Sequence, residues 1–401
     1  MDFELHYTAE QEAFRREVKA WFAANFRPNE NQKLPVDYND ITPEIWAYHH
    51  ELRKHLGAKG WLAPLFPKEY GGGGLNMEEA VIIEEEIAHA ELQNMGDLGI
   101  PLGAPSIMVW ATEEQKKRFL PPILTAQDVT WQCFTEPDAG TDLASLKMKA
   151  DRDGDDYILN GQKIFVGTYG DVDWLYTLAV TDQTKPRHAN IGAFLVPAKT
   201  PGIDIQSMDI VGRGIKRVIY YDNVRVAKTQ LIGGETDGWK VANSTLEVEH
   251  GGGASMHGHD DFFKKLSNYC RVAKRNGKPL SKDADVRDSL VELWMNAQIS
   301  RLFEMRNYYM RASKTPWRWE GSQNALHRKL SMPRIAHLAL DILGPVALTA
   351  DPKLRALAGE VEAQQRQSLL THPGGTPEAQ KIIIARRIGI AKTQQRAAAI
   401  H

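Results

Sequence analysis

A chain of 401 residues is long for one hydrophobic core, so two or three domains are expected. Its 42% hydrophobic and 25% charged residues are ordinary values for a soluble protein, and a formal charge of −2 gives no whole-chain attraction to nucleic acid or to an anionic membrane. No apolar run approaches the ~18 residues of a spanning helix. The acidic start Met1-Asp2-Phe3-Glu4 is unlike a signal peptide, and two cysteines, Cys133 and Cys270, make a disulfide framework improbable, so a reducing cytoplasmic setting is expected.

The first ~125 residues read as helical. Thr8 and Gln11 form a capping box ahead of Phe14, Val18 and Trp21-Phe22. Thr42-Pro43 sets a cap before a proline at the first helical position. Met77 to Ala90 has the spacing of an amphipathic helix, and Thr112 with Gln115 starts another, expected to stop at Pro121-Pro122. The four glycines Gly71 to Gly74 lack the Gly-Lys-Ser/Thr of a phosphate loop and read as a turn between helices.

From about Val129 to Val226 the pattern changes to short strands. Trp131-Gln132-Cys133-Phe134-Thr135-Glu136-Pro137-Asp138-Ala139-Gly140-Thr141-Asp142 reads as a strand ending in a tight loop that can aim N–H groups and hydroxyls at an electron-rich ligand. Tyr157-Ile158-Leu159 and Lys163-Ile164-Phe165 flank Asn160-Gly161, a hairpin signal. Runs at Trp174 to Val180, Ile191 to Val196, Ile203 to Ile205 and Val218 to Tyr221 follow, and their even spacing argues for a small barrel. Gly212-Arg213-Gly214 has neither a third glycine nor a following helix and is no dinucleotide fingerprint.

Helical signals return at Gly238-Trp239 and persist through Ser289–Arg311, Asn324–Leu343, Leu354–Leu370 and Glu378–Ile390. Arg386 and Arg387 fit the role of dipole partners near a helix end better than that of a phosphate clamp. Met256-His257-Gly258-His259-Asp260-Asp261 lacks spaced metal-ligand partners and reads as a surface turn or helix start.

The run Thr135-Glu136-Pro137-Asp138-Ala139-Gly140-Thr141-Asp142 closely resembles the signature of the acyl-CoA dehydrogenase flavoproteins, and the order helices, strands, helices extends the resemblance over nearly the whole chain. The resemblance implies an α+β, mostly α protein. Its parts would be an N-terminal helical domain (1–125), a central β-barrel (126–235) and a C-terminal four-helix bundle (236–401). It implies FAD, bound between barrel and bundle, and α,β-dehydrogenation of an acyl-CoA thioester with hydride passing to flavin N5. A homotetramer or dimer that delivers electrons to electron-transferring flavoprotein is implied as well, with no nucleic-acid or membrane partner.

Residue by residue, the same resemblance assigns the flavin edge to Phe134 and Thr135 and the phosphates to Gly140 and Thr141. It also places Thr141 near the substrate. Phe165 would cover the ring. Gly167 stands where the family carries a hydroxyl near N5, a departure that would shift the flavin potential or leave room for a bulkier substrate. The commoner base position is Gly374, which has no carboxylate. The alternative position, on a helix early in the C-terminal domain, is Glu249. Glu249 is therefore the expected base, and Glu247 an ordinary solvated glutamate. Gly374 would contribute its N–H to the thioester oxygen. Gly251-Gly252-Gly253 would either allow close approach of substrate or end the helix. His250 replaces the usual arginine beside the substrate. Thr376 and Glu378 align with contacts to the adenine half of FAD. Asp341 and Gly344 align loosely with a motif that reaches FAD across a subunit interface, and Arg275 stands in for an incomplete arginine motif.

The glycines at 167 and 374 and the helix-borne base suggest a bulky, branched or steroid-derived acyl group. Two rivals remain open from sequence: a flavin oxidase or monooxygenase on the same fold, and a base-less acyl-CoA-binding subunit.

Overall fold

The computed structural model describes residues 7–35, 38–92, 96–167, 169–212, 214–250, 261–316, 318–349 and 356–391. Five helices come first: α1 Ala9–Asn25, α2 Pro43–Ala58, α3 Met77–His89, α4 Ala104–Trp110 and α5 Glu113–Leu124. Their starts are those the local chemistry dictates. Thr8 and Gln11 exchange bonds with each other's backbone, as do Thr112 and Gln115, and the Thr42 hydroxyl accepts from Ile45 N ahead of Pro43. The expectation that Pro121-Pro122 stop α5 is corrected: both lie inside its last turn. Each proline removes one N–H, but the Pro121 carbonyl still accepts from Thr125 N and Thr125 Oγ1, and that of Pro122 accepts from Gln127 N. The glycine run is structural, since a Cβ on Gly72 would sit 2.2 Å from Phe66 O.

Eight strands follow: β1 Thr130–Cys133, β2 Lys149–Asp153, β3 Asp156–Val166, β4 Trp174–Val180, β5 Ile191–Pro197, β6 Ile203–Met208, β7 Lys216–Ala227 and β8 Leu231–Ile232. They form one sheet in the order β6-β7-β3-β2-β4-β5-β8, with β1 parallel to β4. Among the described residues β6 and β8 do not pair, so the sheet is open where a closed barrel was expected. The Asn160-Gly161 hairpin is corrected too. β3 runs straight through that dipeptide with a shift of register against β7 between Leu159 and Gly161. Asn160 Oδ1 accepts from Asn223 N at 2.8 Å, and Gly161 takes φ 148, so the pair serves a bulge rather than a turn. The tight connection lies upstream at Gly154-Asp155, where Asp153 pairs with Asp156.

The remaining helices are α6 Gly238–His250, α7 Asp261–Val272, α8 Ala284–Ala312, α9 Glu320–Leu343, α10 Glu360–Ser368 and α11 Pro377–Arg387. α9 is the hub, packing against α8, α10 and α11. One apolar core joins the first helices to the sheet and to α6, through Phe119, Leu120, Phe134, Tyr176, Leu195, Val241 and Ala242. A second fills the other face of the sheet around Trp131, Cys133, Phe194 and Val226. Trp131 and Cys133 therefore point to the second core, and the period-2 alternation of β1 turns Gln132 to the opposite face, which α6 approaches.

Candidate active site

α6 is fixed before it delivers anything. Thr245, fully buried, lies 2.6 Å from Ser106 Oγ and 3.3 Å from the Tyr176 hydroxyl, and Trp110 Nε1 donates to Ser244 Oγ at 2.9 Å. Glu249 lies four residues after Thr245, on the same helix face, so these bonds set where its carboxylate emerges. Its Oε2 faces the Gln132 amide at 3.5 Å. Burial pushes the Glu249 carboxyl above its ordinary range, while the Gln132 amide and the Lys329 charge pull it part of the way back.

Gly374 meets it from the other side. A Cβ on Gly374 would stand 3.4 Å from Glu249 Oε1. The two base positions weighed in the sequence thus open on one shared space. The loop around Gly374 is held from within by Lys329 of α9, which donates to Thr371 O at 3.1 Å and also to Pro373 O, and by Gln380 Nε2, which donates to Gly374 O at 3.0 Å. Gln132, Lys329 and Gln380 carry no mark in the sequence, because only tertiary packing brings the first two to Glu249 and the third to Gly374. Glu247 is not simply solvated: its Oε1 accepts from Arg387 at 2.9 Å, tying α11 to α6.

The sheet side is built around a turn closed by paired bonds of 3.1 Å between Glu136 and Ala139. Beneath it, Lys163 is fully buried and donates to Phe134 O at 3.1 Å and to Glu136 Oε1 at 2.8 Å, and Glu136 also accepts from the N–H groups of Lys147 and Met148. A lysine inside an apolar strand, with a glutamate in the motif, was the signal available for this pair. The Phe134 ring is buried against Tyr176, so only its backbone can serve a ligand. Thr135 accepts from Ile164 N at 2.9 Å, which sets it beside the Phe165 turn, and Gly140 and Thr141 lie exposed on the rim.

Phe165 is 52% exposed and takes φ 58, a left-handed conformation that an aromatic residue rarely adopts. Gly167 also has a positive φ, 53, and a Cβ there would strike the Trp131 ring at 2.4 Å. The glycine is thus explained by Trp131 and frees no room for a substrate, contrary to one of the two readings made from sequence. Lys216 Nζ caps the Gly167 carbonyl at 3.1 Å.

These residues fit a flavin. An aromatic face held out of the core lies beside half-exposed Thr135, and Gly140 and Thr141 lie open next to it, which suits a planar heterocycle with an attached polar chain. The sheet and bundle meet here, since a Cβ on Gly212 would touch Leu370 at 2.6 Å. On the bundle side, the Thr376 hydroxyl caps α11 by accepting from Ala379 N at 3.1 Å, and Glu378 is exposed in the first turn of that helix.

Three of the expected residues gather elsewhere. Arg275 Nη2 donates to Ile342 O at 2.6 Å, beside Asp341 and Gly344 at the end of α9. Along α9 that end is about 18 Å from Lys329 at 1.5 Å per residue. The His250 side chain, Arg213, Gly251-Gly252-Gly253 and residues 256–260 lie outside the described residues. Asp261 opens α7.

A helical first third, a strand-built middle carrying the glycine–threonine rim, and a helical last third facing it with a half-buried carboxylate form the three-part frame of an acyl-thioester oxidoreductase. The chain matches family models described as acyl-CoA dehydrogenase N-terminal domain over residues 8–127, middle domain over 132–222 and C-terminal domain over 236–389, and it belongs to the acyl-CoA dehydrogenase family of oxidoreductases. It is 29% identical to acyl-CoA dehydrogenase IpdE1 of Mycobacterium tuberculosis over 387 residues, covering 94% of this chain and 97% of that one. Among solved structures it resembles a chain of the ChsE4-ChsE5 complex from Mycobacterium tuberculosis (TM-score 0.83, 28% identity, 98% and 100% covered). It also resembles the Tcur3481-Tcur3483 steroid ACAD (TM-score 0.82, 26% identity, 98% and 100% covered).

Proposed function

We propose that the chain catalyses FAD-dependent α,β-dehydrogenation of an acyl-CoA thioester with Glu249 as the base. The observation that carries this is the partly buried Glu249 carboxylate opening on the space in front of Gly374. Bound FAD supplies the acceptor for the hydride that leaves the β-carbon. Glu249 takes the α-proton, and desolvation keeps its basicity high enough for the task. The Gly374 N–H donates to the thioester oxygen, where charge grows as the proton leaves.

Phe165 and Gly167 lie against the ring, with the backbone of Phe134 and the hydroxyl of Thr135 at its edge. Gly140 and Thr141 take the pyrophosphate, and Thr376 and Glu378 the adenine half. Thr141 flanks the substrate. Arg275, Asp341 and Gly344, remote within one protomer, serve FAD bound by a neighbouring copy. An exposed apolar stripe on α8, formed by Val291, Trp294, Met295, Ile299 and Leu302, supports assembly into a homodimer or homotetramer. Electron-transferring flavoprotein is the proposed acceptor and the cytoplasm the proposed setting.

The acyl group is proposed to be bulky, branched or steroid-derived. A base borne on α6 and similarity to a structure described as a steroid ACAD support this. The test is a screen of straight-chain, branched and steroid side-chain CoA thioesters, followed by flavin absorbance near about 450 nm. Bleaching is expected with ring-bearing esters. No bleaching with any thioester would overturn the reading, and bleaching with straight chains alone would overturn the substrate class.

A further inference from the structure

The carbonyls of Thr371, Pro373 and Gly374 all turn inward, the first two to Lys329 and the third to Gln380. A trans peptide unit points its N–H opposite to its C=O. Holding the Pro373 carbonyl therefore turns the Gly374 N–H away from Lys329. Holding the Gly374 carbonyl turns the Gly375 N–H away from Gln380. Gly374 and Gly375 take φ 66 and 82, a left-handed pair open to glycine and strained for other residues.

Gln380 shows that a neutral amide suffices to hold a carbonyl in this loop. Lys329 performs the same task next to it with a full charge, although burial opposes that charge and Arg328 repels it. The group that offsets this cost is Glu249, which lies in the field of Lys329. Few other charges compete at the carboxylate. From β1 it meets the neutral Gln132. On its own helix, Glu247 is paired with Arg387 of α11. Among the described residues, α9 carries Arg328 next to Lys329, and the 371–376 loop carries the exposed His372.

We infer that Lys329 is a positioning residue for the reaction: it aims the Gly374 N–H at the thioester oxygen by gripping the Pro373 carbonyl, and its charge keeps Glu249 ready as the anion. The inference rests on the reading of Glu249 as base, and two separate readouts follow from its two halves.

The electrostatic half is tested on the flavin-loaded protein without substrate. The carboxyl stretch of Glu249 is titrated by infrared spectroscopy, as the difference between each Lys329 form and the same form carrying Glu249→Gln. Lys329→Gln keeps a donor and loses the charge, and the midpoint is expected to move upward by about half to one pH unit. Lys329→Arg keeps the charge and is expected to leave it near the wild-type value. An unmoved midpoint in Lys329→Gln overturns this half.

The orienting half is tested by affinity for the CoA ester that bleaches the flavin fastest, against its thioether analogue, which lacks the carbonyl oxygen. Wild type is expected to prefer the ester, and Lys329→Met to lose that preference and about 10- to 100-fold in kcat, with KM changing less. Equal preference in wild type and Lys329→Met overturns it. Thermal melting and flavin content separate these effects from misfolding, with Lys329→Leu, which also lacks the donor, serving where Lys329→Met does not fold. Full activity in Glu249→Gln alone would remove the base assignment and leave the ester-against-thioether result to stand or fall by itself.

Discussion

Gly374 turns its side-chain direction toward the carboxylate of Glu249, close enough that a methyl group there would rest 3.4 Å from Oε1. One carboxylate fills the space in front of both positions, and its partners are an amide from β1 and a lysine charge from α9.

Replacing Glu249 by Gln is expected to lower turnover by about 10²–10⁴-fold while the protein stays folded and yellow. In the wild type, kcat/KM should rise with pH through a midpoint above the ordinary carboxylate range, because burial raises the Glu249 pKa and the anion is the active form. A profile flat from pH 4 to 8, measured as about that window, would contradict the assignment.

Gly374→Ala should reduce kcat by about 10-fold or more. A residue with a Cβ is strained by roughly 1–2 kcal/mol at φ 66, and the methyl would crowd the base. In a Glu249→Gln background, Gly374→Glu is expected to restore part of the lost activity, since it returns a carboxylate to the same gap. Steady-state kinetics on the single and double variants check both statements.

Lys163→Met should destabilise the protein by about 3 kcal/mol, because it removes the counter-ion of buried Glu136 and leaves that carboxylate only the N–H groups of Lys147 and Met148. The Phe134 carbonyl also loses its donor, so the cofactor loop slackens. Chemical denaturation and the flavin-to-protein ratio after gel filtration are the measurements. Unchanged values in both would show that the pair is dispensable.

Gly167→Ser tests the meaning of the glycine. It should not act as a simple gain of a hydroxyl, since its Cβ overlaps the Trp131 ring. A loss of about 2–3 kcal/mol or more is expected. Combined with Trp131→Leu, the serine should become tolerable. Melting curves of the two single variants and the double variant decide the point.

Trp294→Glu together with Leu302→Glu should split the proposed homo-oligomer, as both side chains lie on the exposed apolar stripe of α8. Light scattering after gel filtration reads the mass, and an unaltered mass would place the interface elsewhere.

Local chemistry was legible in the chain and long-range chemistry was not. Thr8 with Gln11 and Thr112 with Gln115 announce their helices because both partners of each box lie within one turn. Asn160-Gly161 misled because the same dipeptide that closes hairpins also relieves a bulge, and neighbouring β7 made the choice. The prolines at 121 and 122 misled because a last turn can lose donors without ending early. Short strands in succession suggested closure, yet whether first and last strands pair depends on the whole path of the sheet. At the site, Glu249 was visible through the segment it shares with a known family. Gln132, Lys329 and Gln380 belong to other elements, and nothing in their own neighbourhoods announces a shared destination.

Trp131 lies shut away from water directly under Gly167, in the turn that follows Phe165, and its ring nitrogen has no hydrogen-bond partner among the described residues. The molecule thus carries an optical gauge at the floor of its proposed cofactor seat. A flavin arriving above that turn absorbs in the range where an indole emits, so loading would be seen as dimming. Ten tryptophans contribute light, and the difference between wild type and Trp131→Phe isolates the one that counts.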